Sequence, residues 1–130
     1  MANKIRGYLI NVEKGTAEEI EFEETLENIR SILNVRLIDV ATRKVGDYAI
    51  DFVCDDEALL KDEAIPSAVD EKGELMLFGN LLCVSSDGNG NFASLTDEML
   101  AELKARTCAV IKRKESKVCW IVKGVEYFAD

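Results

Sequence analysis

The densest group of chemically capable residues in this chain is acidic. Asp55, Asp56 and Glu57 stand together, with Asp62 and Glu63 a few residues on, and carboxylates at such short spacing suit a hard cation such as magnesium or calcium. No distant second ligand set accompanies them, so the run reads better as a solvated acidic loop or a partner-facing surface, and no metal is expected. A second pattern, Asp87, Asn89, Asn91 and Glu98, occupies the first, third, fifth and twelfth positions of a calcium loop. Phe92 stands where that loop needs glycine, and the segment before it is patterned as a strand. A Gly/Asn turn leading into a capped helix is therefore expected.

Pro66-Ser67 and Gly79-Asn80 could line one pocket if the acidic loop folds over the strand that carries Gly79. Glycine permits close approach of a ligand, and asparagine offers both a donor and an acceptor. The structural alternative is a loop corner at Pro66 and a strand irregularity at Gly79. Trp120 and Tyr127 lie near Lys112, Arg113, Lys114, Lys117 and Lys123, a mixture that could hold an anionic strand by charge and stacking. A tryptophan on a strand more often belongs to the core, and no direct nucleic-acid binding is expected.

Nucleophilic chemistry is poorly served. The chain has no histidine, which removes Ser-His-Asp and Cys-His arrangements. Its four cysteines, Cys54, Cys83, Cys108 and Cys119, are far apart and mostly within apolar runs such as Leu-Leu-Cys-Val. They read as buried free thiols, without the close spacing of a zinc site. No orienting base or phosphate loop accompanies the carboxylates, so no cofactor and no catalytic residue is assigned.

The elements that must position these groups follow from hydrophobic periodicity. Ile5 to Val12 reads as a strand, Lys14-Gly15-Thr16 as a turn, and Glu19-Ile-Glu-Phe-Glu23 as a second strand with an acidic outer face. Leu26, Ile29, Ile32 and Leu33 recur at helical spacing between Thr25 and Asn34. Two strands follow, Val35 to Lys44 and Tyr48 to Cys54, joined by the turn at Val45-Gly46-Asp47. The segment from Asp55 to Ser67 holds the only proline and reads as a long loop. Leu75 to Ser85 reads as one buried strand with a glycine inside it. Thr96 precedes Asp97-Glu98 and the stripe Met99, Leu100, Leu103, which marks an N-capped helix ending near Arg106. Cys108–Ile111 and Val118–Val122 flank a polar tip and form a hairpin, after which Gly124 kinks the chain into Val125–Phe128.

The expected fold class is α+β: a single antiparallel or mixed sheet with two helices, in the order β-β-α-β-β-β-α-β-β. The 130 residues, 48% of them apolar, suffice for one domain over residues 1–130. Residues 1–106 form its body, with an appended basic hairpin over 107–130. Residues 1–103 hold 9 Lys/Arg against 22 Asp/Glu, a balance of −13, and residues 104–130 hold 7 against 3, a balance of +4. An acidic body repels polyphosphate. The apolar runs are too short to span a membrane, and the opening residues lack the apolar stretch of a signal peptide. The expected location is the cytoplasm, without membrane contact.

The pieces Cys54-Asp-Asp-Glu57 with Leu60-Lys61, Pro66-Ser67, Leu77-Phe-Gly-Asn80 and Phe92-Ala-Ser-Leu-Thr-Asp-Glu98, in that order, resemble the family called domain of unknown function three-eight-four-six. That family occurs in bacteriophages, conjugative elements and gut bacteria. The resemblance covers most of residues 5–106 and implies a bacterial or mobile-element origin and a compact α+β domain. It implies no activity and carries over no catalytic residues. Ala58 stands where similar proteins often have glycine.

Three functional readings follow. The first is a non-enzymatic accessory protein of a phage or mobile element that binds a host protein or small ligand, with Asp55, Asp56, Glu57, Pro66, Ser67, Gly79 and Asn80 as its candidate surface. The second is an acidic nucleic-acid mimic that occupies a DNA-binding host protein, and the third is a carboxylate-dependent enzyme. The C-terminal hairpin leaves two outcomes open: a weak homodimer through an exposed sheet edge, or a monomer in which Val125 to Phe128 covers that edge.

Overall fold

The computed structural model describes residues 4–58, 65–112 and 117–127, with the backbone alone for residues 111, 112 and 117–119. Leu60, Lys61, Asp62, Glu63, Arg113, Lys114 and Phe128, named above, lie outside the described residues. Its elements in chain order are β1 (Lys4–Asn11), β2 (Thr16–Glu23), α1 (Leu26–Leu33), β3 (Ile38–Val45), β4 (Tyr48–Asp55), β5 (Pro66–Val69) and β6 (Leu75–Phe78). They continue with β7 (Leu81–Ser86), β8 (Phe92–Ala93), α2 (Asp97–Arg106), β9 (Thr107–Lys112), β10 (Lys117–Val122) and β11 (Val125–Glu126). No helix among the described residues is long and apolar enough to cross a membrane.

The chain is α+β with two helices and mostly antiparallel strands, but the expected single sheet is two. A seven-stranded sheet runs β11-β3-β4-β7-β1-β2, with β8 paired to β7 off that path, and a four-stranded sheet runs β6-β5-β10-β9. The second sheet is mixed, because β10 meets β5 in parallel at Val122 and Ala68.

Three differences from the sequence reading produce this outcome. Pro66 and Ser67, expected at the end of a loop, open strand β5; a proline is tolerated there because the first residue of a strand can forgo its N–H. The run Leu75 to Ser85 is not one strand. It breaks at Gly79-Asn80, where Gly79 takes a φ of 77°, and its halves, β6 and β7, join different sheets. β11 is the third difference: Val125 and Glu126 leave the hairpin and pair with Val45 and Lys44 of β3. They close an edge of the large sheet and leave β9 as an edge of the small one.

Burial explains the patterning. The central strands β4, β7 and β1 are buried on both faces, so their apolar residues run consecutively rather than alternating. One face, carrying Ile5, Leu9, Phe22, Val53, Leu82 and Val84, packs on Ile29 and Leu33 of α1. The opposite face, with Tyr8, Ile10, Phe52 and Cys83, packs on Leu100 and Leu103 of α2 and on Ala68, Leu77 and Val122 of the small sheet. Each buried aliphatic or aromatic side chain contributes roughly 1.5–3 kcal/mol.

Both helices start at a threonine cap, Thr96 as expected and Thr25 in addition. Thr25 Oγ1 accepts from the Asn28 N–H at 3.1 Å and Thr96 Oγ1 from the Met99 N–H at 3.1 Å. Asn34, with φ 55°, ends α1 in the left-handed region, a conformation its short polar side chain tolerates. Leu26, expected on the buried stripe, is exposed in the first turn. β3 starts at Ile38 rather than Val35, because the Val35 N–H still bonds to the Arg30 carbonyl at the helix end.

Candidate ligand-binding cleft

The hairpin of β3 and β4 turns at Gly46 and pairs Asp39 with Cys54 and Ile38 with Asp55. Its open end therefore carries acids from two strands. The chain leaves β4 through Asp56 and Glu57, and the Asp56 N–H donates to the Leu37 carbonyl at 3.1 Å. Across from this end stands β6. Together Asp39, Cys54, Asp55 and Asp56 on one side and Ala58, Met76, Leu77 and Phe78 on the other line a cleft of ≈ 350 Å³.

The three consecutive acids do not converge on one point. Asp55 is buried and its Oδ1 accepts from the Glu57 N–H at 2.9 Å. Asp56 is exposed. Glu57 turns away to Arg36, which donates through Nε at 3.2 Å and Nη2 at 2.8 Å, a bidentate pair that holds Arg36 in its charged form. Among the described residues no three cysteine, aspartate or glutamate side chains gather as metal ligands.

Cys54 is the nucleophilic atom nearest the cleft. Its Sγ donates to the Asp39 carbonyl at 3.6 Å, and burial, followed by the nearby Asp39 and Asp55 carboxylates, pushes the thiol up to about 11. A thiol so placed stays protonated at neutral pH and is a poor nucleophile. Cys83, at the centre of the large sheet, is raised further by complete burial. The cleft combines a carboxylate rim with an apolar wall.

The remaining candidate residues divide by role. Pro66 pairs with Phe78 across β5 and β6. Ser67 is fully buried and its hydroxyl has no partner among the described residues. Gly79 donates its N–H to the Ile65 carbonyl at 2.8 Å, and a Cβ on it would meet only Ala58 Cβ at 3.7 Å. Asn80 is committed to the fold: Oδ1 accepts from the Val12 N–H at 2.8 Å and Nδ2 donates to the Leu33 carbonyl at 2.9 Å. One buried side chain thereby ties the end of β1 to the end of α1.

The other patterns are also accounted for by local structure. Asp87 accepts from the Asn89 N–H at 2.7 Å and from the Asn91 side chain at 3.2 Å, and these bonds lower its pKa. The loop is thus organised by its own amides between β7 and β8. Trp120 packs against the core and donates Nε1 to the Gly15 carbonyl at 2.9 Å. Tyr127 stacks under Arg43, whose guanidinium carbon lies 4.5 Å from the ring centre.

Asp39 and Met76 belong to the cleft although their sequence context does not single them out. A signal for Asp39 is present: counting back from the Gly46 turn, with Val45 opposite Tyr48, brings Asp39 opposite Cys54. Met76 has none, because its placement depends on β6 joining the second sheet.

Residues 5–107 match the family model described as Domain of unknown function (DUF3846). No curated protein and no solved structure matches the chain.

Proposed function

We propose that this chain, which belongs to the DUF3846 family, is a non-enzymatic binding protein, an accessory of a phage or mobile element, and that its cleft between β4 and β6 receives a small amphipathic cation. One observation carries the reading: Asp39 and Asp56 stand beside Cys54 on one side of a cleft of ≈ 350 Å³, and Met76, Leu77 and Phe78 on the other. An ammonium group would meet the carboxylates while its apolar body covers the wall, the division of labour usual in ligand pockets. The protonated Cys54 thiol supports binding over covalent chemistry. Two pieces of the family pattern, Cys54-Asp-Asp-Glu57 and Leu77-Phe-Gly-Asn80, supply opposite sides of this cleft.

Titration of the chain with phenethylamine and with phenylpropionate, followed by amide chemical shifts, tests the reading. Saturable shifts at residues 39, 54–56 and 76–78 with the amine alone are expected, and Asp39→Asn should weaken them. Equal responses to both compounds, or no response to the amine, would sink it.

The nucleic-acid mimic draws its support from the row Glu19, Glu21 and Glu23 on β2, which alternation places about 7 Å apart. Arg6 and Lys104 already bind Glu19, at 3.6 and 3.5 Å, so the row is short and partly neutralised. The ligand-binding reading is the better supported.

A further inference from the structure

Strand β2 ends the seven-stranded sheet, and among the described residues no strand pairs with its outer side. Alternate residues of this strand, about 27 Å long, turn their backbone groups outward, up to Glu23, whose carbonyl already accepts from Asn28 Nδ2 and the Thr25 N–H, both at 2.9 Å. Beside this edge, between β2 and α1, lies a groove of ≈ 540 Å³ where Leu9, Ile20, Phe22 and Ile32 meet Asn28 and Ser31 on the helix side, with Glu18, Glu21 and Glu23 of β2 at its rim. An unpaired edge next to a helix-walled groove with an apolar floor and an acidic rim is a geometry by which sheets accept an added strand: main-chain bonds supply affinity and the groove reads alternate side chains.

The two faces of β2 differ in chemistry. Ile20 and Phe22 point toward α1 with Leu9, and Glu18, opposite Leu9, is the one acid on that face. Glu19, Glu21 and Glu23 point to the opposite face, toward the side on which Lys104 of α2 reaches Glu19. Glu18, Glu21 and Glu23 are exposed and form no ion pair among the described residues. β2 itself has no basic residue, and Lys4 and Lys14 flank only the two ends of the groove. A second copy of β2 would set glutamates beside glutamates, which cross-strand pairing disfavours. The complementary strand alternates basic residues, opposite the glutamate row, with apolar residues that enter the groove.

We propose that β2 and the groove along α1 dock an extended basic segment of a partner protein, added to the large sheet as one more strand. This surface is independent of the cleft between β4 and β6, and either can fail without the other.

The test titrates isotope-labelled full-length chain with a seven-residue peptide alternating lysine and valine, and with its glutamate–valine counterpart. Expected are saturable amide shifts over residues 16–23 and 26–33 with the basic peptide alone, and affinity falling about tenfold between low and high salt. Charge reversal in Glu21→Lys/Glu23→Lys should weaken binding by a similar factor. Absence of saturable binding, equal binding of the acidic peptide, or shifts confined to residues away from β2 and α1 would each overturn the proposal. The mapping uses the native chain, so it stands even if the double variant does not fold.

Discussion

The guanidinium of Arg106 occupies the space that a Cβ on Gly124 would need, and its Nη1 donates to the Gly124 carbonyl at 3.1 Å. The same side chain donates Nε to Glu102 at 2.6 Å. Glu102 in turn lies where a Cβ on Gly46 would fall, 2.8 Å from its Oε1. Two glycine turns, β3–β4 and β10–β11, are thus clamped by one ion pair on the last turn of α2, next to the register in which β11 closes the edge of β3.

Gly124→Ala should therefore cost more than backbone strain. With φ at 70° an alanine there is disfavoured by roughly 1–2 kcal/mol, and the end of the flexible Arg106 side chain must also give way, which weakens its bond to the Gly124 carbonyl. Urea unfolding of Gly124→Ala, Arg106→Ala and the double variant measures both parts. The double variant should be less destabilised than the sum of the singles; strict additivity would show that Arg106 and Gly124 are not coupled.

Asn80→Leu keeps the volume of the buried side chain and removes both of its bonds. The Val12 N–H and the Leu33 carbonyl would be left buried without partners, at a cost of about 2–4 kcal/mol in total. A shift in urea midpoint corresponding to less than about 0.5 kcal/mol would mean that water replaces the amide.

The thiols give a pH signature. Cys54 is raised from 9.0 to about 11 in the folded chain, so the folded state holds its proton more tightly than the unfolded state does. Stability from this group is complete below pH 9 and is lost as pH rises from about 9 to 11, falling by roughly 1.4 kcal/mol for each pH step of one within that window. Cys54→Val should flatten the decline in urea midpoint across the same range; an unchanged slope would place the effect elsewhere. At pH 8 a disulfide reagent should label the half-exposed Cys108 well before Cys54 or Cys83.

Trp120 is the only tryptophan, and its bond to Gly15 ties β10 to the β1–β2 turn across 105 residues. Trp120→Phe should lose about 1 kcal/mol through that bond. Single-stranded oligonucleotide added to the native chain should leave the tryptophan fluorescence unchanged; quenching with a steep salt dependence would instead mean that the ring is available for stacking.

What the residues determined alone is local. Thr96 was legible as a cap because a cap involves only the next turn, and Thr25 caps its helix by the same local bond. Gly46 sets the β3–β4 register because a two-residue turn fixes every later pair. The glutamates of β2 face outward because alternation on an edge strand is visible without knowing the neighbour.

Only the tertiary structure decided how the strands divide into two sheets. Leu75 to Ser85 is apolar nearly throughout, and an apolar run buried on both faces carries no mark of where one sheet ends and the next begins. Gly79 was legible as an irregularity, but its meaning lay in partners 68 and 47 residues from Asn80, the Val12 N–H and the Leu33 carbonyl, which hold the crossing in place. The cleft follows from that crossing. Asp55 and Asp56 were apparent as acids from the start, but Met76, Leu77 and Phe78 came to face them only when β6 was drawn into the second sheet, because contacts between distant segments are set by packing rather than by the pattern of either segment.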